Sequence, residues 1–198
     1  MRFINIVMKI DNNSVSFKAN FVNKINIGKV IENRYPNYKQ QAVSFIKIDP
    51  ANSRDIKALE EIANYWIYSD FAVNIHNAAR ELKSKNMAYK NHEIYALTTQ
   101  KSNFEKLKSD ELLGLIHTCP SDNGFTSIED IQGDPQYIYD IEPDYKGIGT
   151  GILDSLKLIY DKLSCHPANN DYVIRFYVKN GFIKQADKPN YYTYCKQC

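Results

Sequence analysis

The sequence predicts a single α/β domain with an N-terminal appendage, and three observations lead there. Of its 198 residues 43% are hydrophobic, which is enough for one well-filled core and short for two. From residue 42 the apolar pattern reads strand, two helices, three strands. Three glycines then crowd into residues 147–151 and lead straight into another helical stretch.

Taken in order, residues 1–41 read as a basic, Asn/Lys-rich extension. Arg2, Lys9, Lys18, Lys24, Lys29, Arg34 and Lys39 face only Asp11 and Glu32. Such a stretch suits either an arm for a polyanionic partner or a loosely held tail. The domain proper is placed at 42–198. Residues 42–48 alternate like a strand, Pro50 breaks it, and Ser53 is the expected N-cap of a helix presenting Ile56, Leu59, Ala63 and Trp66. A second helix over 71–85 offers Ala72, Ile75, Ala79 and Leu82. Strand-like runs follow: EIYALTT from Glu93, ELLGLIHTC from Glu111 and YIYDIE from Tyr137. Ile152, Leu156, Ile159 and Leu163 then line one face of a helix, with Leu153 and Tyr160 beside them.

The glycines therefore stand at a strand-to-helix junction, where unbonded backbone N–H groups meet the positive end of the helix dipole. Gly147, Gly149 and Gly151 would let the backbone approach a bulky anion, and phosphate is the expected guest. A P-loop would need Gly-Lys-Ser/Thr, which is absent, and a dinucleotide fingerprint would need a glycine at position 152, which is Ile152.

A second motif lies downstream in NDYVIRFYVKNGFIK, residues 170–184. With Ile141-Glu142-Pro143 ahead of Gly147-Ile148-Gly149, and Asn170, Val173, Tyr177, Gly181 and Phe182 at the matching spacing, residues 43–196 resemble the GNAT acetyltransferase family. The family's first pattern is Val-x-Pro followed by Gln/Arg-x-x-Gly-x-Gly/Ala, and its second is Asn-x-x-Ala-x-x-x-Tyr-x-x-x-Gly-Phe. Asp144 stands where the family usually has Gln or Arg.

The resemblance implies a mixed, mostly antiparallel sheet flanked by helices, with acetyl-CoA as cosubstrate and a primary amine, on a small molecule or a protein α-amine, as acceptor. Ile141, Lys146, Gly147, Ile148, Gly149, Thr150, Gly151, Asn170 and Tyr177 would hold the cofactor. A backbone N–H near 140–142 would hold the oxyanion, and Tyr177 would protonate the leaving thiolate. The chemistry suits that role, since a phenol of pKa about 10 can hydrogen-bond to a thiolate of pKa about 8.5. Glu142 and Asp140 are candidate bases, or else ordinary strand-end carboxylates. His117 reads as a satisfied strand histidine, and Asn170 by itself would be an N-cap.

A free lysine amine has a pKa of about 10.4 and an α-amine about 7.7–8.0, so the absence of an obvious base leans toward a low-pKa amine. A non-catalytic acyl-CoA sensor and an interaction protein working through its basic arm are the rival readings.

The net charge of +2, from 25 basic and 23 acidic side chains, gives no global field for nucleic acid. No run reaches the roughly 18 apolar residues of a membrane span, and the start lacks a secretory signal, so a cytoplasmic protein is expected. A homodimer is left open. Cys119, Cys165, Cys195 and Cys198 include one C-x-x-C at the end of the chain, without the second pair or nearby His of a zinc site. Reduced thiols and no metal are expected.

Overall fold

The computed structural model describes residues 20–30, 38–66, 70–135 and 144–196. Its strands are β1 (Asn20–Val30), β2 (Tyr38–Lys47), β3 (Glu93–Thr98), β4 (Leu112–Pro120), β5 (Thr126–Gly133), β6 (Tyr145–Lys146), β7 (Lys162–Cys165), β8 (Ile183–Lys184) and β9 (Tyr192–Cys195). Helices α1 (Ser53–Tyr65) and α2 (Asp70–Lys83) connect β2 to β3, α3 (Ile148–Ile159) precedes β7, and α4 (Asp171–Lys179) follows it. Among the described residues the strands form one sheet in the order β6-β1-β2-β3-β4-β5-β7-β9-β8. Among these strands only β5 and β7 pair in parallel, so the sheet is mixed and mostly antiparallel, as the resemblance implies.

Alternation along the strands assigns the two helical layers. Ile46, Ile94, Ala96 and Leu115 point to one side, where Leu59, Ile62, Ala72, Ile75 and Ala79 of α1 and α2 cover them. Val43, Phe45, Tyr95, Leu97 and Ile116 point to the other, under Ile152, Leu153 and Leu156 of α3 and Tyr177 of α4. Successive strand residues face opposite ways, so central strands with helices on both sides are apolar almost throughout. Among the described residues no helix is long and apolar enough to cross a membrane.

Several expectations are corrected. β1 lies inside the stretch 1–41 read as an extension, yet it pairs with β2 from Asn20↔Lys47 to Val30↔Tyr38, and Ile27 is buried. The basic composition of that stretch hid the alternation of Ile25 and Ile27, and the break in register between Phe21 and Asn23 puts Val22 out of step with it. Helix α1 is capped by Asn52, whose side chain accepts from Arg54 N at 3.0 Å, and Ser53 is its first residue. Helix α3 stops at Ile159, so Leu163 is a buried strand residue of β7 and not part of the helical face. The strand expected at 137–142 lies outside the described residues, whereas β5, which was not expected, takes the place beside β4. Among the described cysteines, Cys119, Cys165 and Cys195 are free thiols, and burial pushes that of Cys165 up to about 12. Cys198 lies outside the described residues.

Candidate functional site

Among the described residues, strand β5 is paired on both sides only at its start. Residues 126–128 pair in parallel with 163–165 of β7, ending at Ile128↔Cys165. On its other side β5 continues along β4 to Gly133, with one break in register: His117 pairs with Asp130 and Thr118 with Ile128, leaving Glu129 over. An extra residue of this kind bends a strand and increases its twist. Beyond it β5 diverges from β7, which turns through His166 and Pro167 into α4. The wedge holds a cavity of about 400 Å³. Its walls are residues 128–131 and Gly133 of β5, Gly149 of α3, residues 166–168, and Tyr172, Val173, Phe176 and Tyr177 of α4, with Phe71 of α2 opposite.

The start of α3 opens beside this cavity. Gly147 is its N-cap at φ 82°, a left-handed conformation that glycine adopts without steric penalty. The N–H groups of residues 148–150 belong to the first helical turn and have no acceptor within the helix. Gly149 faces α4 closely, since a Cβ there would stand 3.0 Å from the Phe176 ring. Gly151 does something else. Its N–H already donates to Gly147 O at 2.8 Å, and a Cβ on it would lie 2.5 Å from Ile25 Cδ1, so this glycine lets α3 approach β1. Lys146 lies in β6, opposite Gly28 of β1. Asp140, Ile141 and Glu142 lie outside the described residues.

Asn170 caps α4, its side chain accepting from Tyr172 N at 2.8 Å. At the other end Gly181, at φ 84°, and Phe182, whose N–H donates to Tyr177 O, terminate the helix. Phe182 is buried with its ring 5.2 Å from that of Tyr177. The motif's Asn and Gly-Phe thus fix both ends of the short helix that carries Tyr177. Tyr177 itself is 4% exposed and lines the cavity, and no described residue hydrogen-bonds its hydroxyl. Burial, then Cys165 and Asp130, hold its phenol above the ordinary tyrosine pKa.

No family model matches the chain, and no curated protein does. The solved structures it is similar to include GNAT acetyltransferases. An acetyltransferase of the GNAT family from Staphylococcus aureus is 16% identical, with a TM-score of 0.48 over 78% of this chain and 99% of that one. An acetyltransferase from Streptococcus agalactiae is 11% identical, with a TM-score of 0.47 over 77% and 98%. A GNAT family acetyltransferase from Elizabethkingia anophelis, solved with acetyl-CoA bound, is 20% identical, with a TM-score of 0.39 over 59% and 82%.

One arrangement was not legible in the sequence. His92 Nδ1 lies 2.7 Å from His117 Nε2, His117 Nδ1 lies 3.1 Å from Asp130 Oδ2, and Asn74 Nδ2 donates to Asp130 Oδ1 at 3.2 Å. His117 is satisfied, as expected of a strand histidine, but its two partners, His92 and Asp130, lie 25 and 13 residues away in the chain. Alternation alone shows only that His117 shares a face of β4 with Leu115.

Proposed function

We propose that this chain is an acetyl-CoA-dependent N-acetyltransferase that moves an acetyl group to a primary amine by direct attack. The observation that carries the proposal is the wedge between β5 and β7. It brings a strand edge unpaired among the described residues, a helix start without a side-chain cap and a buried tyrosine to one cavity, which Gly149 of the first motif and Val173 and Tyr177 of the second help to line.

Each part has a physical task. The edge of residues 129–133, unpaired among the described residues, would offer backbone groups to the amides of a pantetheine arm laid alongside it, and an N–H there, rather than one near 140–142, would hold the tetrahedral oxyanion. The first turn of α3 would take the pyrophosphate, where the dipole adds about 0.3–1 kcal/mol to the donated hydrogen bonds. Gly149 lets the Phe176 ring of α4 lie against that turn, where a Cβ would stand 3.0 Å from it. Tyr177 donates a hydrogen bond to the sulfur as the C–S bond breaks. Its raised pKa makes complete proton transfer to a thiolate of pKa about 8.5 uphill, so the phenol stabilises the departing charge and needs a source from which to recover its proton.

The test is calorimetry with acetyl-CoA, followed by thiol release against a panel of amines. Acetyl-CoA binding with amine-dependent release of thiol is the expected result. Binding without turnover on any amine would favour an acyl-CoA sensor, and no binding would end the proposal.

A further inference from the structure

The His92–His117–Asp130 row belongs to neither motif, and it ends on the wall of the cavity. His117 is 5% exposed, and Asp130 lines the cavity at the point where β5 leaves β7. Buried polar groups are costly unless hydrogen-bonded, and here every link is made. The three side chains bond one to the next; among the described residues no group of three such side chains is placed to hold a metal ion.

We propose that Asp130 accepts the proton of the attacking amine and that His117, held in turn by His92, is the positioning residue that fixes its carboxylate; this rests on the acetyltransferase reading above. With His117 Nδ1–H on one oxygen and Asn74 on the other, the carboxylate cannot rotate. Each oxygen still keeps a lone pair, because a carboxylate has about four acceptor sites. His92 occupies His117 Nε2 and so fixes the imidazole's orientation.

The proton balance closes within the cavity. As the nitrogen bonds to the acetyl carbon, its N–H bond breaks and the proton passes to Asp130. The C–S bond then breaks with its electron pair on sulfur, sulfur takes the proton of Tyr177, and the phenolate recovers one from Asp130 by way of water in the cavity, since the two side chains share the cavity without a direct hydrogen bond. The amine's proton has moved to the thiol, and both side chains are restored. Because a carboxyl is a stronger acid than a thiol, the sum is favourable where the step from tyrosine alone is uphill.

The groups turned toward Asp130 are His117 from β4 with His92 behind it, the neutral Asn74 from α2, and Tyr177 from α4. Glu129, next to it in β5, acts on His92, whose imidazole is held below its ordinary pKa by burial and by His117. On α2, His76 interacts with Glu60 and Arg80 instead.

The experiment uses the full chain with acetyl-CoA and the best amine of the panel, following acetyl-CoA Kd, turnover and the KM of the amine. Asp130→Asn is expected to lower kcat by about 10² to 10⁴ with Kd little changed. His117→Phe should lower kcat by roughly 10- to 100-fold with Kd and KM little changed, since the carboxylate loses the donor that orients it. His117→Gln, which retains an N–H, should recover most of that loss. Wild-type turnover in Asp130→Asn or in His117→Phe, no recovery in His117→Gln, or a loss that follows Glu129→Gln instead would overturn the inference alone. Failure of the wild type to bind acetyl-CoA would overturn the acetyltransferase reading and the inference with it. Should Asp130→Asn not fold, the two His117 variants decide on the same readouts.

Discussion

The two halves of β5 differ in what lies beside them. Among the described residues, 126–128 have a strand on each side, and Thr126 and Ile128 are buried there; 129–133 have a strand on one side and a cavity on the other. The same strand is therefore scaffold over its first half and site over its second, and the residue that divides them is the unpaired Glu129. Damage to the closed half should be felt as stability, and damage to the open half as binding or rate.

The largest expected effect lies on the open side. Tyr177→Phe keeps the ring against Phe182 and removes the hydroxyl, so turnover should fall by about 10² to 10⁴ while acetyl-CoA affinity changes little. Because the folded protein holds this phenol above its ordinary pKa, the group stays protonated to beyond pH about 10. A wild-type alkaline limb well below that pH, lost in the Phe variant, would contradict the assignment.

On the closed side, Leu163 is fully buried next to Thr126, and Leu163→Ala should cost about 2–5 kcal/mol in denaturant unfolding. Affinity of the remaining folded protein for acetyl-CoA should be unchanged. A change in affinity with no change in stability would erase the distinction between the halves.

Removing residues 1–30 extends the comparison to the far edge of the sheet. Since β1 buries Ile27 against the α3 side of the core, this deletion should cost at least about 2 kcal/mol, read as a lower Tm. An unchanged Tm would restore these residues to the status of an appendage.

The smallest expected effects separate two glycines in one helical turn. Gly149→Ala should weaken acetyl-CoA binding by roughly tenfold, about 1.4 kcal/mol, by pushing the Phe176 ring off its place in the cavity wall, and should cost less stability than the tighter clash at Gly151. Gly151→Ala should instead cost about 1–3 kcal/mol of stability by crowding Ile25, leaving affinity alone. The opposite pattern would show that Gly151 and not Gly149 meets the ligand.

Legibility followed the range of the interactions. α1 and α2 were readable because each buries one helical face, and β3 and β4 because their apolar runs are continuous. The second motif was readable because its spacing is that of a capped helix with Tyr177 inside it. β5 escaped notice because TSIEDIQG mixes polar residues of the open edge with buried ones, and its extra residue breaks the alternation. β1 was masked by its lysines. The row from His92 to Asp130 could not be read at all, since it joins residues 25 and 13 positions apart across three strands' worth of register.

The pairing of β6 with Gly28 and Lys29 of β1 ends immediately before Gly147. An anion that settles on the first turn of α3 therefore binds a turn whose leading residues are stitched to the N-terminal strand. Docking of that strand and occupancy of the helix start become linked equilibria, and each strengthens the other by the same free energy. A ligand at a hundred times its Kd contributes about 2.7 kcal/mol to whichever state it requires. The amides of β1 should then exchange with deuterium more slowly when acetyl-CoA is present.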